Sequence, residues 1–407
     1  MRKTVWMINQ YGSTPATGMG GRHYYLASEL ARQGYTVYVI ASAANHLLRE
    51  PPRFKTPFKM EQVHGFTMVW VRMPSYSQAH SKQRAVGWLL FAWRLRKLVR
   101  VIPDRPDAIL CSSPSVFSFL GAQRLARRFN ARLVFEVRDI WPLTLTEIGG
   151  HSPTHPLIRL MQWVENKAYR DSDRVVSNLK NSVEHMVQHG LSREKFAWIP
   201  NGFSQEEVNL NTPLNATTAS QLPKGKFLIG YTGTLGVANA LDTLIGAAER
   251  VKGYSDIVFV LVGDGKEKPQ LHKKVEEKKL TNVIFVDSIP KVEIQAMLRR
   301  FDACFIGWLN DPLYRFGIGA NKIPEYLYSG KPVIHCYSGT NDPIQEVKAG
   351  LQVEAENPYH LADAIIKLYQ TPIEEREAMG NRGHQAAIQQ YEYGELANRL
   401  AHVLFDN

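Results

Sequence analysis

Residues 3–41 read KTVWMINQYGSTPATGMGGRHYYLASELARQGYTVYVIA. The runs KTVWMI at 3–8 and YTVYVIA at 35–41 are apolar segments of strand length. Between them Tyr25, Leu26, Leu30 and Ala31 recur at helical spacing, which predicts a helix from about Arg22 to Gln33, ended by Gly34. Strand, loop, helix and strand in that order make a βαβ unit, the opening of a doubly wound α/β sheet. Gly18, Gly20 and Gly21 let the loop backbone come close to whatever lies over the sheet's carboxyl edge. A tight loop of no further use fits the same glycines. A dinucleotide fingerprint does not: the loop is long, the third glycine is missing, and the second strand ends in Ala41 and Ser42 where an acidic residue for the ribose would stand.

Outward from this unit the pattern continues. FTMVWVRM (66–73), AILCSS (108–113) and RLVFEV (132–137) predict strands, with a helix near 117–128. Directly after RLVFEV come Arg138 and Asp139, where open α/β sheets bind ligands. A structural ion pair between the two fits as well. Residues 140–156 read as a loop, and the helix 156–170 leads to Asp171 and Asp173, whose Asp-x-Asp spacing resembles a metal motif only superficially. His151 and His155 read as surface loop histidines. WIPNGF (198–203) and the polar run QEEVNLNTPLNATTASQLPKG (205–225) predict a linker between domains. The pattern then restarts with KFLIGYTG, the loop Thr234 to Ala240, the helix LDTLIGAAERV, the strand IVFVLVG with Asp264 and Gly265, and VIFV with Asp287, Ser288 and Ile289. Two doubly wound domains are expected, at 1–197 and 198–382, with 383–407 ending in a helix that returns to the first.

The stretch GIGANKIPEYLYSGKPVI at 317–334 carries the strongest chemical signal. It reads as a polar loop, a helix starting near Lys322 or Ile323, a turn at Gly330 and a buried strand from Val333. Pro324 suits a first helical turn, and free N–H groups there favour an anion. Lys322 adds a point charge to the same place, beside Asn321 and Ile323, and Glu325 can accept hydrogen bonds from sugar or ribose hydroxyls. That combination describes a sugar nucleotide. An ordinary helix start with one exposed Glu and one exposed Lys also fits.

Composition sets bounds around these motifs. The chain of 407 residues, 44% hydrophobic and 21% charged, is globular and long enough for two cores. A net charge of +11 points to an acidic partner: nucleic acid, anionic lipid or a phosphorylated substrate. Cys111, Cys304 and Cys336 read as buried thiols in a reducing compartment. The N-terminal run VWMI is shorter than a signal peptide's apolar core, and no stretch approaches the length of a membrane span, so a cytoplasmic protein is expected. The segment AVGWLLFAWRLRKLVRVI (85–102) predicts a helix. Its Trp88 and Trp93 beside Arg94, Arg96, Lys97 and Arg100 suit an anionic membrane interface, and a stripe packed on the sheet accounts for the same spacing.

The run NKIPEYLYSGKPVI at 321–334 resembles the donor-binding motif of the family-four retaining glycosyltransferases, in the branch that builds bacterial surface polysaccharides with N-acetylated sugars. The resemblance extends over nearly the whole chain. It implies the GT-B arrangement, two Rossmann-like domains facing across a cleft, with Pro200, Asn201 and Gly202 opening the second. Glu325 matches the second member of the family's Glu-x7-Glu pair, and the first falls on Gly317. Asp139 matches the Asp of a His-Asp pair near the transferred sugar, and the His falls on Arg138. Gly20 and Gly21 match the double glycine that approaches the donor. Gly233 is expected to come close to the diphosphate, and the family's diphosphate-neutralising Arg and Lys fall on Thr234 and Asn239. Lys322 is expected to supply that charge, then Arg315 or Lys266. Asp264, Gly265, Ser288 and Ile289 are expected beside the donor, the last two in the region that receives the nucleobase.

The implied activity is transfer of an N-acetylated hexosamine or deoxyhexosamine from a UDP-sugar to a lipid-linked or saccharide acceptor, with retention, without metal or cofactor, and without nucleic acid as partner. The alternatives are a UDP-sugar 2-epimerase of the same fold and a sugar-nucleotide-binding protein without catalysis. An acceptor on lipid would suit a peripheral seat on the inner face of the cytoplasmic membrane through 85–102.

Overall fold

Near-continuous apolar runs, buried on both faces, form most strands of two sheets in a computed structural model that describes residues 2–75 and 82–406. The first sheet contains β1 (Thr4–Ile8), β2 (Thr36–Ser42), β3 (Phe58–Val63), β4 (Phe66–Val71), β5 (Ala108–Ser112), β6 (Arg132–Val137), β7 (Arg174–Ser177) and β8 (Phe196–Trp198), in the order β3-β4-β2-β1-β5-β6-β7-β8. All neighbours are parallel except β3, which runs antiparallel to β4. The second contains β9 (Phe227–Thr232), β10 (Ile257–Val262), β11 (Val283–Val286), β12 (Ala303–Gly307), β13 (Val333–Cys336) and β14 (Gly350–Val353), all parallel, in the order β11-β10-β9-β12-β13-β14. Both orders reverse beside the first strand of the sheet, between β1 and β5 and between β9 and β12, the doubly wound topology expected from the βαβ pattern.

The chain divides into two units, Met1–Asn201 with Tyr393–Asn407, and Gly202–Glu392. Residues Tyr393–Asn407 belong to the first because the helix Tyr393–Phe405 buries Leu396, Leu400 and Leu404 in the core formed by Val5, Leu26, Leu30 and Leu110. Tyr393 stacks on Tyr25 at 4.8 Å, and Arg399 bonds the carbonyl of Trp198. The closing segment starts at Tyr393 and not at 383, since the helix Ile373–Tyr391 runs unbroken and packs on the helix Lys322–Tyr328. The first unit extends to Asn201, past 197, and Arg22 Nη1 bonds the carbonyl of Pro200.

β3 is among the strands that the periodicity misses, with β8 and β14. FKMEQV is half exposed and polar on one face, so it offers no apolar run. Its turn, His64 and Gly65, has φ of 42° and 85°, the two-residue hairpin form.

The segment 85–102 also differs. The helix runs Lys82–Leu95 and tightens into a 3-10 turn at Arg96–Arg100. Trp88 is 5% exposed and donates to Tyr11 Oη at 2.7 Å, so it belongs to the core and cannot reach a membrane. Trp93, Leu89 and Val86 remain exposed, and Arg96 stacks on Trp93 at 3.7 Å. No helix among the described residues is long and apolar enough to cross a membrane.

Candidate functional site

In the second unit, the carboxyl ends of β9, β10 and β12 converge at the switch point. The loop after β9 lies backbone to backbone against the loop after β10: Leu235 N donates to Asp264 O at 2.8 Å and Gly233 N to Val262 O at 2.9 Å. The helix Lys322–Tyr328 is pinned onto the same edge by Tyr326, whose hydroxyl accepts from Thr232 N at 2.7 Å and donates to Thr232 O at 3.0 Å. Lys322 therefore projects over the end of β9. Its Nζ donates to Asn239 Oδ1 at 2.8 Å and lies 5.1 Å from the Tyr231 ring and 5.9 Å from the Trp308 ring. Gly233 has φ 141°, which strains an L side chain, and a Cβ there would stand 2.6 Å from Lys322 Cε and push the lysine aside. Burial lowers the ammonium pKa from its ordinary value to about 8. Thr234 is exposed, but its carbonyl is already used by Tyr231 Oη at 2.6 Å and Asn239 Nδ2 at 3.0 Å.

The helix start matches the expected position, and no side chain caps its first turn. Asn321 is exposed without capping it, and Ile323 is 2% exposed, so Ile323 offers a ligand its backbone and not its side chain. One turn on, Glu325 is ion-paired with Lys291, which the sequence reading did not single out. Lys291 follows Ser288 and Ile289 in the loop after β11, and burial lowers its pKa while Glu207 opposes that shift. Glu325 is thus a paired carboxylate, with Gln295 Nε2 donating to its backbone carbonyl at 3.0 Å. Asp264 and Ser288 are exposed, Gly265 and Ile289 half-buried. Arg315 is exposed and donates to the Pro312 carbonyl at 2.6 Å, and Lys266 is exposed. Gly317 has φ 96°, a backbone that strains any L side chain; a carboxylate is excluded there by conformation as well as by sequence.

In the first unit, Gly20 and Gly21 (φ 68° and 86°) precede the helix Arg22–Arg32. Arg22 and His23 turn inward to the buried Glu136 of β6: Arg22 Nε–Glu136 Oε1 is 2.8 Å and His23 Nε2–Glu136 Oε2 is 2.6 Å. Burial would raise the Glu136 pKa, but His23, Arg22 and Arg138 together hold it well below the carboxylate range. Burial lowers His23 against the pull of Glu136. Asn9 Oδ1 accepts from Tyr11 N, which turns Asn9 Nδ2 toward His23 Nδ1 at 2.9 Å and leaves the imidazole proton on Nε2.

Ser113 Oγ accepts from Arg138 N at 2.9 Å and from Asp139 N at 3.4 Å, so one hydroxyl sets the turn that presents both side chains. Asp139 is exposed, yet the protein crowded around it raises its pKa, with Arg138 opposing. Beside this turn Arg84 lies over the rings of Tyr11, Trp88 and Trp141 at 5.2–5.7 Å, a cluster the periodicity could not reveal. Asp171 is engaged by Lys167 at 2.5 Å and Asp173 accepts from Leu133 N at 2.7 Å, which gives the Asp-x-Asp pair structural roles. His155 accepts from Leu157 N at 3.2 Å as a helix cap.

Residues 17–202 match the model of the glycosyl transferase 4-like domain, and residues 226–371 that of the glycosyl transferases group 1. WcaI of Escherichia coli (strain K12), assigned as a colanic acid biosynthesis glycosyl transferase, is 24% identical over 312 residues, 74% of this chain and 75% of that protein. Among solved structures, the sucrose-phosphate synthase of Thermosynechococcus elongatus is similar with a TM-score of 0.71 and 17% identity, over 99% of this chain and 98% of the other. HepE of Anabaena, solved in complex with UDP and glucose, is similar with a TM-score of 0.65 and 16% identity over 99% of both chains. With two doubly wound α/β units that together match the GT-B glycosyltransferases and a glycosyltransferase match over each, the chain belongs to the glycosyltransferases that join a 4-like domain to a group 1 domain.

Proposed function

We propose that this chain is a retaining, metal-independent transferase that moves a sugar from a UDP-sugar to a lipid-linked or saccharide acceptor in surface polysaccharide biosynthesis. An N-acetylated hexosamine or deoxyhexosamine is the sugar most consistent with the motif at 321–334. One observation carries the reading: the partly desolvated ammonium of Lys322, seated against Gly233 and Asn239 at the carboxyl end of β9. The family's two basic positions in the β9 loop are uncharged here, at Thr234 and Asn239. Lys322 Nζ reaches Asn239 Oδ1 directly, so this cation takes up the neutralising role from the other side of the loop. The UDP in the HepE complex and the polysaccharide assignment of WcaI support the donor class and the pathway class.

Stabilising the departing UDP is then the main barrier-lowering contribution. Glu325, oriented by Lys291, receives ribose or sugar hydroxyls, and the loops carrying Asp264, Gly265, Ser288 and Ile289 border the nucleotide. Arg138 stays protonated and cannot serve as a base, whereas Asp139, with its raised pKa, orients the acceptor hydroxyl or accepts its proton. Gly20 and Gly21 allow close approach of the donor to the first unit. The exposed Trp93 with Arg96 and Lys97 supplies a seat for an anionic membrane surface.

Incubation with UDP-GlcNAc and other UDP-sugars in the presence of lipid and saccharide acceptors, followed by product separation, tests the proposal. UDP together with a new glycoside supports it. An epimerised donor formed without acceptor, or binding without turnover, replaces it with one of the other two activities.

A further inference from the structure

Trp308 stands at the open end of a buried polar chain that the nucleotide site does not use. It follows the last residue of β12, and its indole Nε1 donates to His335 Nε2 at 2.9 Å. His335, on the neighbouring β13, is 0% exposed, and its Nδ1 lies 3.0 Å from Asp342 Oδ1. An indole nitrogen only donates, so His335 Nε2 is the bare nitrogen and the imidazole proton sits on Nδ1, facing Asp342. Asp342 is fixed in turn, since its Oδ1 accepts from Ile344 N at 2.7 Å. The imidazole also stacks on Tyr337 at 4.9 Å and 6°, and Tyr337 Oη donates to Tyr314 O at 2.9 Å. Every group behind the indole is therefore locked, while Trp308 itself is half-buried with its ring 5.9 Å from Lys322 Nζ.

A buried His–Asp pair is costly to desolvate, and apolar side chains would fill the same space without that cost. Its use lies in what it orients. We propose that Asp342 and His335 are positioning residues for the anion site: they hold the Trp308 indole so that its face confines the Lys322 ammonium toward Gly233 and the end of β9. Without that wall the ammonium keeps only Asn239 and the Tyr231 ring on the other side to hold it in place. The inference rests on the reading of Lys322 as the diphosphate-binding cation.

The test measures UDP affinity by calorimetry for the wild type, Lys322→Ala, Trp308→Leu, His335→Phe and His335→Gln. Indole N–H resonances are recorded for each with nitrogen-15 label. His335→Phe keeps ring volume and loses both hydrogen bonds, whereas His335→Gln retains an acceptor near the Nε2 position. Trp308→Leu and His335→Phe are expected to weaken UDP binding about 5- to 10-fold, the scale of a partly desolvated cation–π contact, and His335→Gln to recover most of the loss. UDP should also shift the one indole resonance missing from Trp308→Leu, and that shift should vanish in Lys322→Ala, a response that a merely structural role would not produce. Wild-type UDP affinity in Trp308→Leu alongside a weakened Lys322→Ala overturns this inference alone. Wild-type affinity in Lys322→Ala overturns the diphosphate reading and the inference with it. Should His335→Phe fail to fold, Trp308→Leu, which leaves the buried pair whole, decides the matter.

Discussion

Lys322 Nζ lies 2.8 Å from Asn239 Oδ1, a cation from the helix after β12 meeting an amide from the loop after β9. The two residues are far apart in the chain, and they bring a positive charge to a loop that has none of its own. Lys322→Ala is expected to weaken UDP binding about 10- to 100-fold, the range for losing a charge-assisted hydrogen bond. Unchanged affinity by calorimetry would remove Lys322 from the phosphate site.

The pH dependence of UDP binding follows from the same residue. Burial lowers the Lys322 pKa to about 8 in the free protein, and a bound diphosphate favours the protonated form and raises it. Affinity is therefore full below that value and declines as pH rises through it toward the pKa of the complex. Titration calorimetry between neutral and alkaline pH should show the decline in the wild type, after correction for UDP's own ionisation, and none in Lys322→Ala. A flat wild-type profile contradicts the assignment.

Asp139→Asn separates chemistry from donor binding. The side chain belongs to the first unit and the Lys322 cluster to the second, so UDP affinity should fall less than turnover. Turnover should fall about 10²- to 10⁴-fold, the usual contribution of a positioned acid–base group. Full kcat in this variant would eliminate Asp139 from proton handling.

Glu136→Gln tests the buried cluster under the first sheet. It leaves Arg22 at 2% side-chain exposure without its counterion, a change worth about 3–5 kcal/mol of destabilisation. Seven of the eight tryptophans lie within the first unit, so tryptophan fluorescence during denaturation reports mainly on it. The Glu136 pKa is held below its unfolded value. Its contribution to stability is therefore complete above the unfolded carboxylate pKa and lost as pH falls through the folded one. The acid limb of the stability curve should flatten in the variant, and an unchanged limb would show that Glu136 is not charged in the native state.

The surface around Trp93 makes a separate prediction. Trp93→Ala combined with Arg96→Ala should reduce sedimentation with phosphatidylglycerol vesicles and leave behaviour with neutral phosphatidylcholine vesicles unaltered. Equal recovery with anionic vesicles before and after substitution would rule out this face as a membrane seat.

The doubly wound topology was legible because strands buried on both faces must be apolar throughout, and their helices must alternate at another period. KTVWMI and KFLIGYTG announce β1 and β9 for that reason. β3 was not legible, since an edge strand with a solvated face carries no apolar run. Trp88 and Trp93 look alike in sequence, yet one is buried against Tyr11 and the other exposed, because helical phase relative to the sheet separates them.

The sequence by itself determined the strand and helix order, the placing of charged residues after strand ends, and the motif around Lys322 and Glu325. These depend on local periodicity and on residues close together in the chain. Only the tertiary structure decided that Lys322 meets Asn239 and Gly233, that Glu325 is paired with Lys291, and that Asp342 reaches Trp308 through His335. Those meetings follow from the strand order at the switch point of the second sheet, where parallel crossovers bring distant loops to one edge. No short-range pattern encodes which loops become neighbours there.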